Sequence, residues 1–266
     1  MEDRRVRVMT YNIHSCVGMD GRVAPNATAD AIRLLEPDVA ALQEVDDGIP
    51  KTGRLDQARY LGDQLGFGHI FCPTVHHAEG RYGLAVLCRF PMRQIRCGRL
   101  PIFWPFRLQK RGAVHAVVDS PAGRFHFFNT HLSLFGPERL LQVRHLMRKR
   151  WLGSVPAGEP VVFCADLNSV PGLPVYRLMT TLYTDVQNAF CKRPEKARPT
   201  FSSRRPRLRL DHRFVSPAFE VLRAEVPAGV PFRNVSDHLP LYADLRLRPE
   251  AEKGLSNPNT GGGEGK

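Results

Sequence analysis

Hydrophobic and polar positions alternate over residues 5–13, with Val6, Val8, Thr10 and Asn12 on one face, which predicts a first strand. A Gly/Asp-rich loop from Gly18 to Gly21 follows. Asn26 and Thr28 then offer N-caps for a helix running to about Glu36, ended by Pro37. Residues 38–43 read as a short apolar strand that delivers Glu44. Residues 54–66 place Leu55, Ala58, Leu61 and Leu65 at helical spacing and stop at Gly66. Strands are predicted over 83–88, 92–100, 111–119 and 124–130, with a turn at Pro121-Ala122-Gly123 and an aromatic loop, Pro101 to Phe106. Gly136-Pro137-Glu138 opens a helix to about Trp151, with Leu140, Val143, Met147 and Trp151 facing inward. A strand over 161–165, a short helix from Pro174 to Leu182, and strands over 208–215 and 239–247 complete the pattern. In the 207–215 run, Arg207, Arg209, Asp211 and Arg213 share one face and Leu208, Leu210 and Phe214 the other. The apolar face is expected to pack, with Asp211 aimed at a site.

Strand-helix and strand-strand steps are mixed in this order. The consecutive strands of the middle third imply antiparallel meanders in an α/β fold of two packed sheets with helices outside. With no internal repeat and no linker before residue 249, residues 1–249 read as one domain. Residues 250–266, rich in Asn and Gly, read as a disordered tail.

Composition narrows the partners. At 42% hydrophobic over 266 residues the chain can build a sizeable core. Its 38 basic against 26 acidic residues leave +12, which favours anionic partners: nucleic acid, acidic lipid headgroups or phosphorylated metabolites. Six scattered cysteines without CxxC spacing suggest neither a zinc site nor a disulfide framework, and Cys88 and Cys164 read as small core residues. No apolar signal region or membrane-spanning run is visible, so a reduced, cytoplasmic, monomeric protein is expected.

The chemistry is concentrated in polar clusters that end apolar runs: Asn12-Ile13-His14, Gln43-Glu44, Asn129-Thr130-His131, Asp166-Leu167-Asn168 and Ser236-Asp237-His238-Leu239-Pro240, joined by Asp211. Glu44 and Asp237 are hard oxygen ligands suited to Mg²⁺ or Mn²⁺, with the amide oxygen of Asn12 in support. His238 suits a general base whose tautomer Asp211 would fix. Asp166 and Asn168 can orient water, and His131 can donate to a phosphoryl oxygen. This is the equipment of metal-assisted phosphoester cleavage.

The order of these pieces resembles the endonuclease/exonuclease/phosphatase superfamily. The resemblance is carried by Thr10-Tyr11-Asn12-Ile13-His14, Leu42-Gln43-Glu44-Val45, Asn129-Thr130-His131-Leu132, Ala165-Asp166-Leu167-Asn168, Leu210-Asp211-His212-Arg213-Phe214-Val215-Ser216 and Ser236-Asp237-His238-Leu239-Pro240. It implies a four-layer α/β/β/α sandwich with two mixed, mainly antiparallel sheets, and Mg²⁺-dependent phosphoester hydrolysis. It also implies Asn12, Glu44 and Asp237 near the metal, an Asp211–His238 pair, and Arg111 on the substrate phosphate. Deoxyribonuclease-like members pair an acid with the histidine at the place of His131, and residues 79–83 offer no clean counterpart. The Trp-rich segment of abasic-site endonucleases and the Trp-Cys-Asp-Arg signature of inositol-polyphosphate phosphatases are absent. Arg204, Arg205, Arg207 and Arg209 favour a nucleic-acid substrate. The Phe103-Trp104-Pro105-Phe106 loop favours a phospholipid headgroup and peripheral membrane contact. A non-catalytic polyanion-binding module on the same fold is the alternative of another class.

Overall fold

A computed structural model describes residues 5–103, 109–191 and 197–248. The chain runs β1 (Arg5–Asn12), α1 (Pro25–Arg33), β2 (Val39–Asp47), α2 (Gln57–Leu65), β3 (Gly68–His77), β4 (Gly80–Cys88), β5 (Met92–Arg99), β6 (Gly112–Ser120) and β7 (Gly123–His131). It continues with α3 (Gly136–Leu146), β8 (Val161–Asp166), α4 (Pro174–Thr180), β9 (Thr184–Asp185), α5 (Val186–Cys191), β10 (Asp211–Val215), β11 (Phe219–Glu225), α6 (Phe232–Val235) and β12 (Leu241–Leu247).

Two six-stranded sheets form, ordered β11-β12-β1-β2-β4-β3 and β5-β6-β7-β8-β10-β9. Each has one parallel pair, β1 with β2 and β7 with β8, among antiparallel neighbours. They stack face to face: β1 touches β8 and β10, and β2 and β4 touch β7. Val8, Leu42 and Val86 of one sheet share a core with Val114, Phe127 and Val162 of the other. Ala29 and Ile32 of α1 and Ala58 and Leu61 of α2 join it. Phe128, Phe163 and Phe214 fill the outer face of the second sheet, packed with Leu146 and Met179 of α3 and α4. The expected sandwich is the one observed.

Capping explains where the second helix begins and ends. Asp56 accepts from the backbone N–H of Arg59 at the start of α2 (3.0 Å), and Gly66 takes the left-handed conformation at its end. The first helix starts differently from expectation. Neither Asn26 nor Thr28 caps it; Pro25 occupies its first turn, where a missing N–H costs nothing, and it ends at Arg33. The third helix stops at Leu146, so Trp151 lies beyond it, yet Trp151 is still buried.

Three other expectations are corrected. The strand before Glu44 does not end there: β2 runs on to Asp47 through a bulge. The 208–215 strand starts at Asp211, and two arginines of the run, Arg209 and Arg213, are buried. Arg213 is wholly buried and donates to the Leu241 carbonyl (2.6 Å), while Arg209 is tucked against Asp185 and Asn188. Cysteine spacing hid a disulfide, since Cys72 of β3 and Cys97 of β5 are bonded across the two sheet edges. Cys16, Cys88, Cys164 and Cys191 are free. Trp104, Pro105 and Phe106, and the tail assigned to residues 250–266, lie outside the described residues. Among the described residues no helix is long and apolar enough to cross a membrane.

Candidate active site

Three neighbouring strands of the second sheet deliver the centre of the site. His131 ends β7, Asp166 ends β8 and Asp211 opens β10; the registers set His131 beside Asp166 and Asp166 beside Asp211. From the other sheet, Asn12 ends β1 next to Gln43. Glu44 sits at the β2 bulge in a left-handed conformation, φ 56°. A bulge re-aims the side chain that would otherwise follow the alternation of the strand, and left-handed backbone costs a non-glycine residue energy. Asn168 is held likewise, φ 49°.

The groups touch. Asn12 Nδ2 donates to Glu44 Oε1 (2.9 Å) and Asp166 Oδ2 (3.1 Å), joining the two sheets at the site. His238 Nδ1 lies 2.8 Å from Asp211 Oδ2, and its Nε2 is 3.8 Å from Asp166 Oδ2. The backbone N–H of Asn168 donates to Asp166 Oδ1 (2.9 Å). Asn168 Nδ2 lies 3.0 Å from His131 Nε2 and donates to the Leu132 carbonyl (2.9 Å). Arg111 donates from one terminal nitrogen to His131 Nδ1 (3.1 Å). Asp237 reaches this end of the sandwich through Ser236, whose hydroxyl donates to the Asn12 carbonyl (2.7 Å) and to Asp237 Oδ1 (3.4 Å). Eight of the nine residues singled out in the sequence thus lie in one chain of contacts, and Asp237 adjoins it.

Below the site, Asn129 braces the sheets. Its amide donates to the Leu42 and Ala85 carbonyls of the opposite sheet (both 2.9 Å) and accepts from Gln43 Nε2 (2.7 Å), which also donates to Thr10 (3.0 Å). These buried hydrogen bonds rigidify what they join, with Gln43 Oε1 left unpartnered among them.

Burial and charge set the protonation of the centre. Burial alone would lower His238, but the Asp211 and Asp166 carboxylates outweigh it and push the imidazole up to about 10. Burial, followed by the Asp211 charge, raises Asp166 to about 7, against the pull of His238. His131 is the opposite case: burial, then the charges of Arg111 and His238, hold it well below the ordinary histidine range.

Two features escaped sequence reasoning. His131 takes Arg111 as its partner and no acid from residues 79–83; Glu79 pairs with Arg54 instead (2.8 Å). Tyr82 joins the wall of the site. Its hydroxyl meets Gln109 and Arg111, and burial and the nearby Glu44 charge raise it. Tyr82 lies within β4, just before its continuous buried run from Gly83 to Cys88.

The donor set fits a hard divalent cation. Glu44 and Asp237 are carboxylates that enter no ion pair with Lys, Arg or His among the described residues. Asp211 Oδ1 is buried without a partner, and so is the Tyr11 hydroxyl. Asp166, Asp211 and His238 also present ligand atoms within 4.8 Å of one another, but His238 Nδ1 is committed to Asp211, which suits proton handling better than ligation.

The comparisons agree with this geometry. The model of the Endonuclease/Exonuclease/phosphatase family matches residues 9–238. YbhP of Escherichia coli K12, described as uncharacterized, is 27% identical over 257 residues, covering 91% of this chain and 96% of its own. A Beutenbergia cavernae endonuclease/exonuclease/phosphatase structure is 29% identical, with a TM-score of 0.71, over 92% of this chain and 72% of its own. The human Nocturnin catalytic domain with bound sulfate anion, 20% identical, shares the fold: TM-score 0.69, 92% of this chain and 95% of its own. With the family pattern matched from β1 to His238 and the motif residues in mutual contact, the chain belongs to the endonuclease/exonuclease/phosphatase family.

Proposed function

We propose that this chain is a Mg²⁺- or Mn²⁺-dependent phosphoesterase that cleaves phosphodiester bonds by attack of water. The observation that carries the reading is Arg111. Its side chain is buried, its Nε has no partner, and no carboxylate neutralises it among the described residues. A buried, uncompensated guanidinium is costly, and a phosphoryl group entering beside it supplies the missing charge and a bidentate acceptor.

Asn12, Glu44 and Asp237 would hold the cation, which when bound polarises a phosphoryl oxygen and stabilises the leaving oxyanion. Asp211 accepts a hydrogen bond from Nδ1 of His238 and so turns Nε2 to the reacting water; with a divalent cation bound at Glu44 and Asp237, the imidazole would fall from about 10 and Nε2 would be free to take the water's proton. Asp166, fixed by Asn12 and the Asn168 backbone, lies on the path of that proton. The Asn168 amide stands 3.0 Å from His131 Nε2, anchored by its bond to the Leu132 carbonyl.

Nucleic acid is the favoured substrate. The loop bearing the exposed Arg204, Arg205 and Arg207 adjoins the catalytic segment: Phe201 bridges to His238, and the Ser203 N–H donates to the Asp237 carbonyl (2.7 Å). A phospholipid headgroup is the second reading, favoured by Leu134, which is 75% exposed three residues after His131, and by the exposed Ile102 and Phe103. The Cys72–Cys97 bond weighs against the reduced cytoplasm expected from sequence.

The test is purified protein with Mg²⁺ or Mn²⁺ on plasmid DNA, RNA, phospholipid vesicles and bis(p-nitrophenyl) phosphate, each with and without chelator. Metal-dependent turnover of one class is expected. Turnover unchanged by chelator removes the cation from the mechanism, and turnover of nothing favours a binding module.

A further inference from the structure

We infer that Arg111 fixes His131 as its Nε2–H tautomer, so that His131 serves the reaction as a neutral hydrogen-bond donor to a phosphoryl oxygen and not as the acid that protonates the leaving group. The inference rests on the phosphoesterase reading for its reaction, but its tautomer does not.

The argument begins with counting donors. A neutral imidazole has one N–H and one acceptor nitrogen. His131 lies between two donors, the Arg111 guanidinium at Nδ1 (3.1 Å) and the Asn168 amide at Nε2 (3.0 Å). Both cannot be accepted at once. A guanidinium never accepts and its bond is charge-assisted, whereas the Asn168 amide already donates to the Leu132 carbonyl (2.9 Å). The lone pair therefore belongs at Nδ1 and the proton at Nε2.

That proton is poorly used in the resting site. Asp166 Oδ2 lies 3.4 Å from Nε2, long for a bond to a carboxylate. His131 is only 4% exposed, so water has little access. A buried donor with a distant acceptor beside a buried cation is prepared for an oxygen that arrives with substrate. At Nδ1, where a carboxylate would stabilise an imidazolium, the ring meets the Arg111 cation instead. Its proton stays on nitrogen throughout, and the leaving oxygen departs as an oxyanion that takes its proton from water. Tyr82, whose hydroxyl meets Arg111 and Gln109, is a positioning residue for the guanidinium.

The first test needs no activity. ¹⁵N NMR of histidine-labelled protein at pH 7 is expected to show His131 neutral, with a bare Nδ1 and a protonated Nε2. In Arg111→Met the Asn168 donor is left alone, and the proton is expected to move to Nδ1. A doubly protonated or Nδ1–H ring in the unsubstituted protein overturns the proposal. The second test compares leaving groups. His131→Ala is expected to lose the same factor, within about threefold, on bis(p-nitrophenyl) phosphate and on a dinucleoside diester, and His131→Gln to recover part of the loss. A loss about tenfold or more greater on the diester with the alkoxide leaving group makes His131 an acid and overturns its assigned role. If the unsubstituted protein cleaves neither diester, the phosphoesterase reading fails while the NMR result still decides the tautomer.

Discussion

Asp211 and His238 are the residue pair on which the proposed chemistry turns. Their 2.8 Å contact is buried, so its strength is not diluted by water. Replacing His238 with Ala is expected to lower turnover about a hundred- to ten-thousand-fold, the range for a missing general base. Asp211→Asn keeps the shape but removes the charge that raises His238, and is expected to lower turnover with an unchanged circular dichroism spectrum. Because the two act as a unit, the double variant should lose far less than the product of the single losses. Multiplicative losses would assign the base elsewhere. A second histidine tests burial by itself. His115 is stacked on Phe128 and bonded to His126 (2.8 Å), which is paired with Glu159. Burial, then the charges of His126, Arg96 and Arg93, depress it from 6.5 to about 3. Between those values the unfolded chain takes up a proton that the folded chain refuses, so stability present above about pH 6.5 is lost as pH falls through the window. His115→Gln should flatten this slope, read as the difference in urea midpoint between pH 7 and pH 5. Equal slopes in the two proteins would show that His115 titrates normally.

Among elements, the strands inside the sheets were legible, and so was the edge strand β5, whereas the edge strands β3 and β11 were not. The strands β1, β4, β6, β7 and β8 lie inside the sheets as apolar runs, and the sequence reading placed each of them within a few residues. Strand β3 went unseen because Pro73 interrupts it and half its side chains are polar; an edge position tolerates both. Strand β11, also an edge, was missed because Glu220, Arg223 and Glu225 break up its apolar residues. At the site, motif residues could be read because their chemistry is rare in such an order. The bulge at Glu44 could not, since backbone conformation leaves no mark on an ordinary Leu42-Gln43-Glu44-Val45 run. Arg209 and Arg213 misled because alternation identifies a face without saying whether water or a second sheet covers it. The Asn129 brace shows what one element contributes to another. Asn129→Leu removes the amide that spans from β7 to β2 and β4 and leaves Gln43 Nε2 with Thr10 as its remaining acceptor. It is expected to cost about 2–4 kcal/mol by urea unfolding, the range for an orphaned buried network. A variant as stable as the original would mean the sheets are held by apolar packing alone.

At the scale of the molecule, two features tie the sandwich to its surroundings. The first is the Cys72–Cys97 bond, which staples the open edges of both sheets and closes a segment of 25 residues. Thiol titration of unfolded, unreduced protein should find four of the six cysteines, and all six after reduction, with loss of roughly 3 kcal/mol of stability. The second is charge. A net +12 spread evenly would do little beyond keeping the protein soluble, but Arg204, Arg205 and Arg207 are exposed on the loop that bridges to His238. If they contact successive phosphates, each releases counterions, and log affinity for a duplex should fall linearly with log salt, by about 0.9 per contact. Replacing all three with Ala should reduce that slope by about two to three while leaving thermal stability unchanged. Arg209, on the same stretch, should behave oppositely. Its guanidinium is bonded to Asp185 and to Asn188 (2.9 Å), so Arg209→Ala strands a buried carboxylate and should lower the melting temperature without changing the slope. A salt plot that is flat for the unsubstituted protein, or unmoved by the triple replacement, would leave the arginines as solvated surface. The phospholipid reading would then be the one to pursue.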